Sequence, residues 1–225
     1  MSSQYERELR QVLAGVPKGV ESVIRSCTPL EKQKMGLVLQ RPFLVVRAAG
    51  SGMEGTGDLL ALRGDLCFPI EVKSTRATKL YLSGRTKLQY EAMVHEGERC
   101  RLMPLYAHRR KGVRGDSWRI FRVETENLTG RLRQLEKSIP AFPTTRNGSV
   151  YLNWEDGMPL HAFIALVCSS AGSDNQALHN LKVRSLQKNT LAHPLPSTQL
   201  EEIRPAQTIT DKPLDVLAEL ARRRS

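Results

Sequence analysis

The stretch Gly57-Asp58-Leu-Leu-Ala-Leu-Arg-Gly64-Asp65-Leu-Cys-Phe-Pro-Ile-Glu71-Val72-Lys73 holds two carboxylates and an ammonium that could act together on one phosphate. Gly64-Asp65 is an allowed two-residue hairpin turn, so Arg63 should face Leu66 and, counting outward, Asp58 should face Glu71. Opposed residues on one sheet face have Cβ atoms roughly 4.5–5.5 Å apart. Lys73, two residues past Glu71, projects to the same side. Two opposed carboxylates destabilise a ladder unless a cation lies between them, and Mg²⁺ bound through carboxylate oxygens would serve. Pro69 cannot donate to a ladder and marks an edge or a bulge, so a register shifted by one stays open. A solvated Glu-Lys pair is the plainer alternative for Glu-x-Lys taken alone.

The charge balance points to a polyanionic partner. The 225 residues carry 34 Lys and Arg against 23 Asp and Glu, a net +11, and most of the excess lies before residue 125. It is densest between Arg99 and Arg122, where the loop RRKGVRGD joins two strand-like runs; Arg109, Arg110, Lys111 and Arg114 are candidate phosphate contacts. The bland reading of that run is a solvated basic face. Aromatic content of 5% argues against a single-strand binder built on stacking, and no helix-turn-helix or zinc-finger pattern occurs. Four dispersed cysteines and five scattered histidines suit neither a disulfide framework nor a histidine-based metal site. No apolar run approaches the roughly twenty residues that span a bilayer, and the polar N-terminus lacks a secretory signal, so no membrane partner and a cytoplasmic, nucleoid-associated location are expected.

The elements that must position these groups follow from periodicity. Helices are expected over 4–14, around 19–26 and over 30–39, the last opened by Thr28-Pro29 as cap and first-turn proline. Strands are expected over 43–48, 58–63, 66–74 and 79–83, with the glycine-rich AAGSGMEGTG between the first two, then a helix over 86–97 and strands over 101–108 and 117–123. This makes an α/β domain over 1–125, with an inserted segment at about 16–42. Residues 126–168 read as a helical and strand extension packed on that core, where Leu160, Phe163, Ile164 and Val167 form an apolar stripe behind Asp156 and Pro159. Residues 169–225 read as a polar tail ending in a short helix, PLDVLAELARRR.

Several motifs, taken in order, resemble the archaeal-type Holliday junction resolvases of the PD-(D/E)xK nuclease superfamily. They are Tyr5-Glu6-Arg7-Glu8-Leu9, then Val46-Arg47-Ala48-Ala49-Gly50-Ser51-Gly52, Gly57-Asp58, Glu71-Val72-Lys73-Ser74, Tyr81, and the helix bearing Gln89. Together they span about residues 4–123. The resemblance implies a restriction-endonuclease-like mixed central sheet flanked by helices, here with a C-terminal extension. It implies a homodimer that nicks branched double-stranded DNA symmetrically with Mg²⁺, Mn²⁺ being an acceptable substitute. Glu6, Asp58, Glu71 and Lys73 would carry over as the catalytic set, the three carboxylates as metal ligands, Ser51 as an active-site loop residue, and Arg47 as a further DNA contact.

Where the superfamily has Pro-Asp this chain has Gly57-Asp58, which keeps the carboxylate. Some 25 residues separate the first helix from the first strand, whereas the family runs almost directly from one to the other. Glu31 therefore stands before Arg47 at about the family's spacing and competes with Glu6, which is preferred because Glu-Arg-x-Leu is matched only there. The rival functions are another PD-(D/E)xK nuclease of restriction or repair type and a non-catalytic DNA-binding module.

Overall fold

The computed structural model describes residues 4–48 and 55–169. Ser51 and the expected C-terminal helix lie outside them.

Three helices open the chain: α1 (Gln4–Leu13), α2 (Pro17–Ile24) and α3 (Pro29–Gln40). In α3 the sequence signal is realised as a capping box. Thr28 Oγ1 accepts from Glu31 N at 3.3 Å, and the Glu31 carboxylate accepts from Thr28 N at 2.7 Å. Strands β1 (Leu44–Arg47), β2 (Leu59–Arg63) and β3 (Leu66–Thr75) form an antiparallel meander. The chain then makes the short β4 (Lys79–Tyr81), crosses through α4 (Arg85–Cys100) and returns as β5 (Leu105–Arg110), parallel to β3. The basic loop links β5 to β6 (Trp118–Arg122). After α5 (Gly130–Glu136) and β7 (Tyr151–Asn153) come β8 (Met158–Pro159) and α6 (Leu160–Ser169).

The sheet order is β1-β2-β3-β5-β6-β8, mixed and flanked by helices, which meets the expected fold class; β4 and β7 pair apart from it as a two-stranded ribbon. Alternation along the strands divides the buried residues between two faces. On one face Ile70, Leu105, Ala107 and Ile120 pack beneath Leu9 and Val12 of α1, Met35 and Val38 of α3, and Phe163 and Ile164 of α6. On the other, Tyr106 and Phe121 join Met93 of α4, Leu82, Phe142 and Leu152 of β7. The α6 stripe is therefore core: Leu160, Phe163, Ile164 and Val167 are all buried. The helix starts at Leu160 rather than at Asp156, and its first turn is held by Asp116 from the basic loop, whose Oδ2 accepts from His161 N at 2.9 Å.

Candidate active site

The two-residue turn sets the register as read from the sequence. Arg63 pairs with Leu66 and Leu59 with Ile70. One residue further the ladder slips: Asp58 N donates to the Ile70 carbonyl at 2.8 Å, and the Asp58 side chain turns back so that Oδ2 accepts from Val72 N at 2.8 Å. Gly57 makes the slip possible. Its φ is +69°, and an added Cβ would stand 2.6 Å from the Ile70 oxygen.

Glu71 is 3% exposed. Its Oε1 accepts from Lys73 Nζ at 2.7 Å, while its Oε2 is buried with no hydrogen-bond partner. Lys73 Nζ also donates to Gln89 Oε1 at 2.9 Å, so α4 fixes the ammonium from above the sheet. Burial raises the pKa of Glu71, and the nearby Asp58 and Glu6 charges add to the rise against the pull of Lys73. Burial likewise raises Asp58; the Val72 hydrogen bond opposes this, and Glu6 reinforces it. Glu6 from α1 thus stands close enough to be felt by both carboxylates, and its Oε2 lies 3.8 Å from the exposed Arg47 guanidinium.

Glu31 is elsewhere, holding the α3 cap and lying 3.9 Å from His161. The structure thus brings Asp58, Glu71 and Lys73 together, with Glu6 within electrostatic reach of both carboxylates and Arg47 beside Glu6. Ser51 lies outside the described residues.

Among the described residues no three His, Cys, Asp or Glu side chains gather as a ready metal cage. A hard divalent cation can be held by one or two carboxylates, with water and substrate phosphate completing its shell. The unpartnered Glu71 Oε2 beside Asp58 fits such a cation, since a buried acceptor with no donor is costly unless something binds it.

The basic loop lies on the same side as the N-terminus of α1, since Tyr5, next to Glu6, stacks under Arg109 (4.6 Å from guanidinium carbon to ring centre) and Lys111 (5.4 Å). Part of its charge is already engaged. Arg109 Nε donates to Glu8 Oε1 at 2.7 Å, and the Trp118 indole donates to the same oxygen at 2.8 Å. Arg110 donates to Glu155 at 3.1 Å. Arg119 lies 3.7 Å from the Trp154 ring centre and donates to two backbone carbonyls. Arg114 is exposed and Lys111 half-buried.

Two neighbours of the site had no chemical role in the sequence analysis, although the helix bearing Gln89 was among the motifs of the resemblance. Gln89 interrupts the buried face of α4 four residues before Met93, and a polar residue in an apolar stripe was the available signal. Tyr106 pairs with Glu71 across β3 and β5, fully buried, its hydroxyl without a hydrogen-bond partner and its pKa raised by burial first and then by the Glu71 charge. Only the fold reveals that pairing. His108, beside Lys73 in the ladder, is buried, and its pKa is lowered to about 4 by desolvation and by Arg110; it is neutral near pH 7.

A buried Glu71, a half-buried Asp58 and an anchored lysine at one place on a mixed sheet are the equipment of a phosphodiester-cleaving nuclease. The family comparison gives that class its particular form. Residues 25–140, just over half of the chain, match the family model described as archaeal Holliday junction resolvase (Hjc), and the chain belongs to that family. The match includes Asp58, Glu71, Lys73 and Glu31 but begins after Glu6. Among solved structures the chain is similar to Hjc, a Holliday junction resolvase from the archaeal hyperthermophile Archaeoglobus fulgidus, with 19% identity, 60% of this chain and 92% of that chain covered, and a TM-score of 0.39. No curated protein matches. No helix among the described residues is long and apolar enough to cross a membrane.

Proposed function

We propose that this protein is a metal-dependent endonuclease that resolves four-way DNA junctions by paired symmetric nicks, as a homodimer working on branched DNA in the nucleoid. The observation that carries the reading is the Glu71 carboxylate in a chain of the Hjc family. One oxygen is bound by Lys73, the other is buried and unpartnered, and Asp58 stands beside it. Asp58 and Glu71 would hold Mg²⁺ or Mn²⁺, with Glu6 adding its charge nearby. Bound there, the cation would polarise the scissile phosphate and lower the pKa of the attacking water.

The chain's own groups do the rest. Lys73 Nζ, already tethered to Glu71 and Gln89, orients the water and offsets charge growing on the phosphoryl oxygens. Lys111, Arg114 and Arg47 hold the flanking backbone. Two identical sites related by a two-fold axis match the two-fold symmetry of the junction and give one nick on each of two opposed strands. The α6 stripe is buried within the chain, while Leu44 and Val46 of the edge strand β1 stay exposed, 68% and 45%, and offer apolar surface to a second copy.

The test is a nicking assay on end-labelled four-way junction, linear duplex and Y-fork, with Mg²⁺ or with EDTA, using wild type and Asp58→Ala. Symmetric cuts confined to the junction, abolished in EDTA and in Asp58→Ala, are expected. Equal cutting of duplex would replace junction resolution by another nuclease activity. Binding without cutting would leave a DNA-binding module.

A further inference from the structure

Of the twelve aromatic residues in the chain, all lie in described segments, and Tyr81 alone is exposed, at 58%. It sits on β4 opposite Tyr151 of β7, and the two rings stack with centroids 5.4 Å apart and planes 27° from parallel. Lys79 Nζ lies 5.9 Å from the Tyr151 ring centre. A cross-strand aromatic pair stabilises a two-stranded ribbon, and here it does so without being covered. Burying both rings would have gained more apolar contact.

Position and charge say what the open ring faces. Tyr81 lies eight residues after Lys73 and eight before Gln89, whose side chains are hydrogen-bonded to each other at 2.9 Å, so the ribbon belongs to a loop of chain closed at the active site. Trp154 N donates to the Thr78 carbonyl at 2.8 Å, which ties the ribbon to the ring carrying Arg110 and Arg119. From Arg76 to Lys87 the sequence has four cations, Arg76, Lys79, Arg85 and Lys87, all exposed, and no acid. Lys79 stands at the Tyr151 ring, Arg76 and Arg85 lie within five residues of Tyr81 in the sequence, and Lys87 is already paired with Glu91 at 3.6 Å. An exposed ring in such a basic stretch, in the chain segment that runs between Lys73 and Gln89, has the chemistry to stack on a nucleobase whose phosphates the cations hold.

We propose that Tyr81, braced by Tyr151, is a stacking platform for a base unstacked at the branch point of the DNA substrate. A linear duplex keeps its bases stacked on each other and offers the ring nothing, so Tyr81 would add selectivity for branched DNA that the basic surface cannot supply. The inference rests on the resolvase reading above.

The experiment uses the full chain and a four-way junction carrying 2-aminopurine at the branch point, with linear duplex of the same sequence as control, titrated in EDTA; nicking is then read in Mg²⁺. Wild type is expected to change the 2-aminopurine emission on binding. Tyr81→Ala and Tyr81→Leu should abolish that change and bind the junction roughly tenfold more weakly, with duplex affinity and the salt slope unchanged. Tyr81→Phe should behave as wild type. Leucine retains an apolar contact with Tyr151 without a stacking face, so it separates loss of stacking from a loosened ribbon. If Tyr81→Leu binds and nicks the junction as wild type does, or if Tyr81→Phe fails with Tyr81→Ala, the stacking platform is overturned while the nuclease stands. If wild type neither prefers the junction nor nicks it, the resolvase reading falls and takes the platform with it.

Discussion

Lys73 Nζ binds one oxygen of Glu71 at 2.7 Å and leaves the other buried and unbonded. The two residues are i and i+2 on β3, on one face, and Gln89 from α4 takes a second Nζ hydrogen at 2.9 Å. The ammonium is thereby fixed in position instead of sampling the rotamers open to an exposed lysine, while the second carboxylate oxygen stays buried and unbonded. Lys73→Met keeps much of the stem and removes the charge. Nicking is expected to fall roughly 100- to 1000-fold, the size of effect seen when one charge-stabilising donor is removed, with junction binding in EDTA little changed. Gln89→Leu should cost less, since Lys73 keeps Glu71. Equal activity of Lys73→Met and wild type in single-turnover assays would remove Lys73 from the reaction.

Asp58 and Glu71 have raised pKa values, caused first by burial. The folded state therefore binds these protons more tightly than the unfolded chain does. That contribution to stability is present below the ordinary carboxylate value and is lost as pH rises through the raised one. Once both groups have ionised, the metal-free protein carries the charged pair at a cost. Asp58→Asn keeps an acceptor for Val72 N and removes one charge, so its Tm without metal should equal or exceed that of wild type. Added Mg²⁺ should raise the wild-type Tm and leave the variant unmoved, because only a state with a bound ligand gains from mass action. Nicking by wild type should also fall on acidification at a higher pH than ordinary carboxylates would set. A lower metal-free Tm for Asp58→Asn would contradict the assigned cost.

Glu6 and Glu31 were both open on sequence spacing, and the family match covers Glu31 alone. The structure gives them different work. Glu6 adds its charge at both Asp58 and Glu71, whereas the Glu31 carboxylate caps α3 through Thr28 N and Thr28 Oγ1. Glu6→Gln should therefore reduce nicking with Tm nearly unchanged. Glu31→Ala should lower stability by about 1 kcal/mol, the usual worth of a cap, and leave nicking per folded molecule intact. The reverse pattern would assign the fourth carboxylate to Glu31.

How far the sequence could be read depended on how local each cause was. The Gly64-Asp65 turn fixed the β2–β3 register over Leu59 to Arg63, and Thr28 with Glu31 announced the α3 cap, because both rest on neighbours in the chain. Pro69 left a shift of one residue open, but Pro69 itself stays in register opposite Leu60; the slip falls at Asp58, and its place was illegible because it needs the positive φ of Gly57 against the Ile70 carbonyl. The basic run looked like one surface because its partners are remote in sequence: Glu8 for Arg109, and the Trp154 ring for Arg119. Tyr106 became a neighbour of Glu71 only through the parallel β3–β5 pairing, which no short-range pattern encodes.

Those pairings divide the basic loop into two kinds of residue. Arg109 and Arg110 are tied to carboxylates, whereas Arg114 is exposed and Lys111 leans on the Tyr5 ring. Replacing both Lys111 and Arg114 by Gln should weaken junction and duplex binding alike. The slope of log K against log salt should flatten by about 0.9 for each phosphate that is no longer neutralised. Arg109→Gln should act mainly on stability, because it strips a charged donor from Glu8, which is also bound by Trp118 Nε1. Melting curves and salt titrations on the same preparations separate the two, and an unchanged slope in the double variant would move the DNA path away from this loop.

Gly57 offers the sharpest test of how this chain positions its first carboxylate. The superfamily motif that the sequence resembles has proline before the aspartate, so Gly57→Pro looks like a step toward that motif. Yet φ here is +69°, while proline holds φ near −65°, and an added Cβ would meet the Ile70 oxygen at 2.6 Å and its carbonyl carbon at 2.7 Å, both backbone atoms of β3. Either the substituted chain leaves this conformation and carries Asp58 away from Glu71, or the β2–β3 ladder opens. Gly57→Pro and Gly57→Ala should both abolish nicking and be destabilised by more than about 1 kcal/mol, unfolding at lower temperature. Gly64 has a similar φ of +59° but open space around it, so Gly64→Asn, a turn residue that tolerates this region, should be nearly neutral. An active, stable Gly57→Pro would mean that the approach to Asp58 can be rebuilt in the superfamily's form and that the slip at Ile70 is dispensable.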